Sequence, residues 1–442
     1  MGNRSSRPQR GTQPVHIHSF TPRKLLGKGN FAKVFLVERR SDQALFALKL
    51  SKKDKISAEN KVHHIVEERN ILEYLRHTFV TQLRYSFQDD VCLYMILDFV
   101  DGGDLRSHMK SHMWTEAEAR VVIAEIACGL TYLHQNQIVH RDIKPENILM
   151  SRSGHITISD FNVAIRLAPG VPIRSMAGTE PYMAPEILNR VGYFSAVDWW
   201  SLGVLLFELV FAERPFRTKN RRELIKKGVF SFPYHMPAIS EICQSAISGF
   251  LAFDPAHRIG FGEIGQPLLR GHPYFLGLSW AAVERREQAP IYVPALTPQT
   301  LHPQMAVDND VLDEDLERLL RDTASLSSGS DPSPQQANIV EQFFYYDYMI
   351  HANRALEAQE HVVAEITASS RMVRSQTSSN DSEPPDHINS FHGTTNISFC
   401  GPVNGLSKLF KGLARRRSKN QSDFFAVDSS CITGQGSTSG VS

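Results

Sequence analysis

The chain has 442 residues, a formal net charge of +1 at pH 7 and five scattered cysteines. This length exceeds one compact core, and the near-neutral charge argues against nucleic acid or another general polyanion as a partner. We see no apolar segment of membrane-spanning length and no signal peptide, and the cysteine usage is typical of a reducing compartment, so we expect a cytoplasmic protein.

The first 19 residues are polar and basic and are predicted to be flexible. They open with Met1-Gly2-Asn3-Arg4-Ser5-Ser6, which fits the N-myristoylation pattern of an exposed glycine followed by a serine at the sixth position. Arg7 and Arg10 add positive charge that suits an anionic membrane surface. So short a pattern also occurs by chance, and one myristoyl chain binds a membrane only marginally, so a second signal would be needed.

A glycine-rich segment, Gly27-Lys28-Gly29-Asn30-Phe31-Ala32-Lys33-Val34, lies between two apolar segments that read as strands, Lys24–Leu26 and Val34–Val37. Two glycines let the backbone approach phosphate oxygens where a Cβ would collide. Taken alone, the segment also fits an ordinary hairpin. A dinucleotide fold is disfavoured, because no helix opens directly after the glycines.

The next strand, Phe46-Ala47-Leu48-Lys49, ends in a lysine that can bridge the α- and β-phosphates of a nucleotide. An amphipathic helical pattern follows and carries Glu67 and Glu68. Glu68 is the better candidate for the ion-pair partner of Lys49, with Glu67 as the alternative. The apolar positions of this helix are Ile65, Ile71, Leu72 and Leu75.

The stretch His140-Arg141-Asp142-Ile143-Lys144-Pro145-Glu146-Asn147 places an acid, a cation and an amide at the spacing that phosphoryl transfer to a hydroxyl requires. Asp142 can orient the attacking hydroxyl, Lys144 can spread the charge of the transferring group, and Asn147 can ligate magnesium. A polar surface loop between two helices is the alternative interpretation.

Further motifs follow in the order that this chemistry needs. The alternating strand Ile156-Thr157-Ile158-Ser159 leads into Asp160-Phe161-Asn162, where Asp160 would hold the magnesium ion that bridges the phosphates. Three later motifs are Ala184-Pro185-Glu186, Asp198-Trp199-Trp200 and Asp254-Pro255-Ala256-His257-Arg258.

With these motifs the chain resembles a eukaryotic serine/threonine protein kinase from about Phe20 to Phe275, and the Lys144 loop is the serine/threonine version. The resemblance implies an α+β, bilobal protein kinase fold with a sheet-rich N-lobe, a helical C-lobe and an AGC-like C-terminal tail. It also implies that Glu186 pairs with Arg258 and that Asp198 starts a central buried helix. The implied activity is ATP-dependent phosphorylation of protein Ser/Thr hydroxyls, with Mg²⁺ or Mn²⁺.

Within the kinases, Gly178–Tyr182 and Asp198–Gly203 resemble the AGC group. Three features look like its YANK family: the sequence Asp160-Phe161-Asn162 where most kinases have Asp-Phe-Gly, the segment Ser175–Thr179, and the opening Met1-Gly2-Asn3.

The resemblance also assigns the residues of the site. Asp98–Gly103 would be the hinge, where backbone groups of Asp98 and Val100 meet the adenine edge, although a plain interlobe linker is the alternative. Asp142 and Lys144 would be catalytic, and Asn147 and Asp160 would bind the metal. The residues expected to bind the nucleotide are Leu26, Gly27, Lys28, Gly29, Asn30, Phe31, Ala32, Lys33, Val34, Lys49, Glu68, Asp98 and Val100.

Two positions depart from the kinase pattern. Ala32 replaces the third glycine of the loop and adds only a methyl group. Asn162 replaces a glycine that can adopt positive φ, and because Asn tolerates that region best we expect Asn162→Gly to be nearly neutral. A pseudokinase-like scaffold, which binds nucleotide without efficient transfer, is the alternative function. It normally lacks the lysine, the catalytic Asp or the metal Asp, and all three are present here.

Two expectations concern substrate choice and regulation. Asp104, Glu146 and Glu208 occupy positions where AGC kinases present acids to a substrate arginine, and the alternative is that they are solvated or have internal partners. Ser175 lies where related kinases take an activating phosphate, with Arg141 as its cationic partner, and the alternative is an unmodified loop serine.

The remainder of the chain is assigned by composition and resemblance. Residues 276–350 resemble the tail that AGC kinases wrap around the N-lobe, and Phe343-Phe344-Tyr345-Tyr346-Asp347-Tyr348 resembles its docking motif. Residues 351–442 are rich in Ser, Asn, Gly and Thr and are predicted to be disordered. Within them, the basic amphipathic run 406–420 can lie on a membrane, which would place the protein at its periphery, or can bind calmodulin or an import receptor.

Overall fold

The computed structural model describes residues 15–29, 32–59, 61–217, 220–233, 239–295 and Tyr346. The expectations for the N-myristoylation motif, for Asn30 and Phe31, and for the run 406–420 therefore lie outside the described residues. So do those for residues 296–345 and 347–350 of the expected tail and for residues 351–442.

Nine strands and ten α-helices make up the described part of the chain. The strands are β1 (Phe20–Lys28), β2 (Ala32–Arg39), β3 (Leu45–Lys52), β4 (Leu83–Gln88), β5 (Cys92–Asp98), β6 (Ile138–Val139), β7 (Ile148–Met150), β8 (Ile156–Ile158) and β9 (Ile165–Arg166). The helices are α1 (Lys53–Ala58), α2 (Val62–Tyr74), α3 (Leu105–Ser111), α4 (Glu116–Gln135), α5 (Pro185–Leu188), α6 (Ala196–Phe211), α7 (Arg221–Lys227), α8 (Glu241–Phe250), α9 (Gly262–Gly271) and α10 (Trp280–Glu284).

The N-lobe is a five-stranded antiparallel sheet in the order β1-β2-β3-β5-β4. Phe35 and Val37 alternate along β2 and pack with Leu48 of β3 in one buried cluster. Because successive side chains of a strand point to opposite faces, Lys49 leaves the sheet on the face opposite Leu48. The register pairs Lys49 with Val34 of β2, so the lysine lies next to the last residue of the glycine-rich segment.

Helix α2 turns a buried stripe toward the sheet. Its buried residues include Ile65, Glu68, Ile71 and Leu72, which recur at three- and four-residue spacing and therefore share one face. The stripe carries an acid into the interior of the lobe. Glu67 is one position off this stripe and is only half-buried.

The C-lobe is built around two long helices, α4 and α6. A capping box starts α4: Thr115 Oγ1 accepts from the Glu118 N–H at 3.3 Å, and Glu118 Oε2 accepts from the Thr115 N–H at 2.7 Å. All sixteen residues of α6 are buried, and all of them except Asp198, Ser201 and Glu208 are apolar or glycine, as is typical of a helix inside the core. Two small antiparallel sheets, β6–β9 and β7–β8, lie in the chain between α4 and α6, and the loops that connect β6 to β7 and β8 to β9 reach the cleft.

A buried aspartate ties α6 to the loop that precedes β7. Asp198, in the first turn of α6, accepts from the backbone N–H of Arg141 at 2.7 Å and of His140 at 2.9 Å, and it bonds to His134 at 2.8 Å. Burial alone would raise the pKa of Asp198, but the bond with His134 and the nearby imidazoles outweigh it and lower the pKa. An ionised, fully bonded carboxylate thus fixes the loop that carries Asp142.

The expected α+β bilobal fold, with a sheet-rich N-lobe and a helical C-lobe, is confirmed. Among the helices that the structure describes, none combines the length and apolarity needed to cross a bilayer. Cys92, Cys128 and Cys243 are buried free thiols, as their apolar surroundings in the sequence indicate.

Candidate active site

A cleft of about 550 Å³ lies between the two lobes. Its roof is formed by Leu26–Gly29, Ala32 and Val34, and its back by Asp98–Val100. Apolar side chains and a few convergent polar groups are the usual composition of a ligand site. The polar side chains that line it are Lys49, Glu68, Asn147, Asp160 and Asn162, together with Lys28, Lys61, His64, Thr81, Asp98, Glu146 and Ser159.

Lys49 is the buried cation of this cleft. Its Nζ lies 2.6 Å from Glu68 Oε1 and 3.6 Å from Asp160 Oδ1. Burial alone would lower the pKa of Lys49, but Glu68 and Asp160 outweigh it and raise the pKa, so the ammonium stays charged. The structure thus places Glu68, rather than the alternative Glu67, on the lysine.

Asn162 differs from its expected role. The positive φ of this segment belongs to Asp160, at 62°, and Asn162 does not adopt positive φ. Its carboxamide Oδ1 accepts a hydrogen bond from Lys49 Nζ at 2.5 Å. The backbone argument for asparagine at this position was therefore wrong, because the side chain and not the left-handed backbone is what the fold uses here.

Asp142 is bonded to Asn147, which lines the cleft, and forms a cluster with a cation and a hydroxyl. Lys144 Nζ donates to Asp142 Oδ2 at 2.7 Å and to Thr179 Oγ1 at 2.8 Å, while Thr179 Oγ1 donates to Asp142 Oδ1 at 2.7 Å. Burial alone would raise the pKa of Asp142, but the bonds from Lys144 and Thr179 outweigh it, so its pKa lies below the ordinary value. Thr179 belongs to the segment before α5 that resembles the AGC group, but the sequence analysis assigned it no contact with Asp142.

Asn147 and Asp160 both line the cleft, where they could hold a divalent cation. The Asn147 carboxamide nitrogen donates to the Asp142 carbonyl at 2.8 Å and to its carboxylate at 3.0 Å, which leaves the amide oxygen as a metal ligand. The described residues contain no cluster of three or more His, Cys, Asp or Glu side chains suited to a metal. Magnesium fits such a sparse donor set, since it is commonly bound by one or two carboxylates together with substrate phosphates.

The segment after β5 presents backbone groups to the cleft. The Asp98 N–H is already used by the Gln82 carbonyl at 3.0 Å, and its carboxylate pairs with Arg84 at 2.5 Å. Asp98 therefore has its carbonyl, rather than its N–H, to offer an adenine edge. Val100 lines the same wall.

The segment before α5 lies against the loop of Asp142. Arg141, at φ 68°, donates from its guanidinium to Ser175 Oγ at 2.8 Å and to the Val163 carbonyl at 2.6 Å. Gly178 has φ 105°, and a Cβ there would lie 2.2 Å from the Arg141 carbonyl oxygen, so only glycine fits. These contacts hold Ser175 against the arginine that was expected to receive its phosphate.

The three acids expected to face a substrate arginine have internal partners. Asp104 caps α3 and accepts from the Ser107 N–H at 2.8 Å. Arg106 donates to Glu146 at 2.8 Å and to Glu208 at 2.9 Å. The structure thus favours the internal-partner alternative, and Arg106 is a partner of these acids that the sequence analysis missed. A signal was present, because Arg106 is a cation two residues after the first of these acids.

The C-lobe contains the ion pair implied by the family resemblance. Arg258 is fully buried and donates to Glu186 at 2.7 Å, and it also bonds to the Ala196 carbonyl at 2.9 Å. The pair joins α5 to the segment after α8, and the bond to Ala196 links this segment to the start of α6 as well. Both charges therefore have bonded partners in the interior, as buried ions require.

A model of the protein kinase domain matches residues 20–275. The chain belongs to the protein kinase family.

The kinase domain is similar to several curated serine/threonine protein kinases. The chain is 36% identical over 294 residues to AtPK2/AtPK19 of Arabidopsis thaliana, which covers 66% of this chain and 62% of the relative. It is 38% identical over 294 residues to ribosomal protein S6 kinase 2 alpha of Gallus gallus, covering 65% and 39%. It is 33% identical over 351 residues to akt-1 of Caenorhabditis elegans, covering 78% and 64%. The chain spans less than two thirds of the length of each of these relatives.

Proposed function

We propose that this protein is an ATP-dependent serine/threonine protein kinase that transfers the γ-phosphoryl group of ATP to hydroxyls of protein substrates. One observation carries the proposal: the Thr179 hydroxyl bonds to the Asp142 carboxylate at 2.7 Å, and Lys144 bonds to both. A substrate hydroxyl in the place of Thr179 Oγ1 would meet the same acceptor and the same cation. The family match and the serine/threonine kinase relatives support this reading.

Each residue of the site has a role in this reaction. Asp142, ionised because its pKa is lowered, accepts the hydrogen bond of the attacking hydroxyl and aligns it. Lys144 supplies positive charge beside the transferring group. Lys49, held by Glu68, presents its ammonium to the α- and β-phosphates. Positioning and charge compensation suffice because the transition state is loose and little covalent chemistry falls to the protein.

The cofactors that this reaction needs are ATP and magnesium, with manganese as a substitute. Asn147 and Asp160 would hold the metal, whose charge neutralises the phosphate oxygens. The roof of Leu26–Gly29, Ala32 and Val34 and the wall from Asp98 to Val100 would enclose the nucleotide. The size of the cleft, about 550 Å³, is within the range of small-molecule sites.

Substitution of the two aspartates tests the proposal. Asp142→Asn and Asp160→Asn should each lower phosphate transfer to a protein substrate by at least about 100-fold, because one removes the hydroxyl acceptor and the other a metal ligand. Transfer is followed with γ-labelled ATP, and nucleotide binding by the thermal shift on adding ATP and magnesium. Glu223→Gln, on an exposed side chain of α7, is the matched control and should retain wild-type transfer.

The scaffold alternative makes a different forecast for the same assays. Wild-type protein that is stabilised by ATP and magnesium but labels no protein substrate would favour a nucleotide-binding scaffold. Equal activity of Asp142→Asn and wild type would also contradict the proposed mechanism.

We infer further that the kinase is AGC-like and most similar to the YANK family. The Asp160–Asn162 motif and the segment Ser175–Thr179 support the finer assignment, and the similarity to S6 kinase 2 alpha and akt-1 supports the broader one. Residues 276–350 would be its C-terminal tail. The burial of Tyr346, only 2% exposed, supports docking of this tail on the kinase domain.

We also propose attachment to an anionic membrane through a Gly2 myristoyl group and the basic run 406–420. The support is the sequence pattern alone, with a lipid and a basic helix as the two signals that stable attachment needs. Fractionation of wild type, Gly2→Ala and a deletion of 406–420 tests it. Both changes should reduce the membrane-bound fraction. Unchanged association of Gly2→Ala would exclude the lipid, and loss in the deletion alone would assign attachment to the basic run.

A preference for a substrate arginine has little support from the contacts of the expected acids. Glu146 and Glu208 are both bonded to Arg106, and Asp104 is engaged as a helix cap. The substrate preference of this kinase therefore needs a separate argument.

A further inference from the structure

A second cavity, of about 470 Å³, adjoins the catalytic loop. It shares Lys144, Asn147 and Thr179 with the catalytic cluster. Thr179, whose Oγ1 is bonded to Asp142, also lines this cavity. If a substrate hydroxyl took the place of Thr179 Oγ1, the substrate residues on either side of it would enter the cavity. The remaining lining side chains are Arg106, Glu146, Tyr182, Glu208 and Arg214.

Arg106 is bonded to both carboxylates that line this cavity. Its Nε donates to Glu146 Oε1 at 2.8 Å, its Nη1 donates to Glu208 Oε1 at 2.9 Å, and its Nη2 donates to Tyr182 Oη at 2.6 Å. Tyr182 in turn donates to Glu208. The Arg106 side chain is 23% exposed and that of Glu208 only 7%, so the Arg106–Glu208 pair is largely shielded from water.

This pairing changes what the cavity can accept. A substrate arginine would find both carboxylates already holding a guanidinium, and it would approach Arg106 and Arg214 as a like charge. Displacing Arg106 would break two charge-assisted contacts with Glu146 and Glu208. The cavity therefore opposes the arginine that free carboxylates at these positions would attract.

Arg214 is the cation of the cavity that is least engaged. Within the described residues, Arg214 forms an ion pair with Glu208, with 3.8 Å between Arg214 Nε and Glu208 Oε1, and its side chain is 42% exposed. Glu208 is already shared between Arg106 and Tyr182. The Arg214 fork is therefore available to a carboxylate or a phosphate group, both of which suit bidentate donors.

We propose that Arg106 and Arg214 make this cavity a substrate subsite for a negatively charged side chain near the acceptor hydroxyl, and that Arg106 is the residue that excludes arginine. The proposal rests on the proposed kinase function, since it gives that reaction a substrate preference. Glutamate, aspartate and phosphoserine share the required chemistry.

Wild-type enzyme gives the first test. A set of Ser/Thr acceptor peptides carries a single Glu, phosphoserine, Arg or Ala at each flanking position in turn, and both kcat/KM and the dissociation constant are measured. At one position we expect an acidic residue to give a kcat/KM about tenfold higher, and a dissociation constant about tenfold lower, than arginine gives there. Phosphoserine and glutamate peptides show which anion is preferred. Arginine equal to or better than glutamate at every position would overturn the proposal.

Three variants separate the roles of the residues. Arg106→Met should free Glu146 and Glu208 and raise the relative affinity for the arginine peptide about tenfold. Arg214→Ala, on a half-exposed side chain, should remove the preference for an acid while the protein stays folded. Arg270→Met, which loses a solvent-exposed Arg–Glu pair with Glu284 elsewhere in the C-lobe, is the control and should behave as wild type.

The two proposals fail in different ways. Peptides that bind with the acidic preference but are never phosphorylated would reject the kinase reaction and leave the subsite standing. Peptides that are phosphorylated, with an order of preference that neither Arg106→Met nor Arg214→Ala alters, would reject the subsite and leave the kinase reaction. If Arg106→Met does not fold, the wild-type comparison and Arg214→Ala still decide.

Discussion

Lys49 has three N–H donors, and three side-chain oxygens surround it. Glu68 lies at 2.6 Å, Asn162 at 2.5 Å and Asp160 at 3.6 Å from its Nζ. Two of these acceptors are charged, and the third is a neutral amide. Asn162 thus holds the ammonium in the cleft without adding a third negative charge next to the expected phosphates.

The bond between Lys49 and Asn162 leads us to expect a moderate effect of Asn162→Gly rather than near-neutrality. Its loss removes one positioning contact while Glu68 remains, so kcat/KM for ATP should fall about five- to tenfold. Glycine at a residue without positive φ should also destabilise the fold by about 0.5–1 kcal/mol. Steady-state kinetics with varied ATP and thermal unfolding check both effects. Lys49→Met, expected to lose at least about 100-fold, calibrates the assay, and unchanged kinetics of Asn162→Gly would show that turnover does not use the amide.

At the scale of elements, helix α6 holds the catalytic loop, and a capping box defines where helix α4 begins. The first turn of α6 supplies Asp198, whose carboxylate accepts two consecutive backbone N–H groups of the loop. The capping box of Thr115 and Glu118 fixes where α4 begins, and such a cap contributes about 1 kcal/mol. The bonds from the loop to Asp198 help to hold Arg141 at φ 68°. This conformation costs about 1–3 kcal/mol and persists only because the surroundings impose it.

At the scale of the whole molecule, residues that follow α10 contact parts of the structure that are far away in the sequence. Arg286 donates to the Thr78 carbonyl at 2.7 Å and to the Ile156 carbonyl at 3.0 Å. Tyr346 lies 260 positions along the chain from Ser86 of β4, which donates to its carbonyl at 3.5 Å. The Arg69 guanidinium of α2 is 5.9 Å from the Tyr346 ring. The helix that carries Glu68 therefore packs against Tyr346, which lies in the region expected to form the tail.

Tyr346→Ala tests this packing. Removing a buried aromatic side chain should cost about 2–4 kcal/mol at its site, and loosening α2 should weaken the Lys49–Glu68 pair. We expect a melting temperature lower by several degrees and transfer reduced about three- to tenfold. Thermal unfolding and the labelling assay measure the two effects. Tyr74→Ala, on an exposed tyrosine at the end of the same helix, is the control, and a Tyr346→Ala protein as stable and active as this control would count against docking.

The sequence alone indicated the fold, through the resemblance of its motifs to those of protein kinases, and the order of the site residues. Alternation in β8, the helical spacing around Glu68 and the fixed intervals from Asp142 to Asn147 depend on neighbours a few residues apart. These intervals also bring Asp142, Lys144 and Asn147 together on one short loop.

Only the tertiary structure decided which partners those side chains meet across the chain. Thr179 reaches Asp142 across 37 positions, and Arg106 reaches Glu208 across 102. No local spacing encodes such contacts, since packing of distant elements brings the atoms together. The same reason explains Asn162: its residue type suggested a backbone role, whereas the approach of β3 across 113 positions gave it a side-chain role with Lys49.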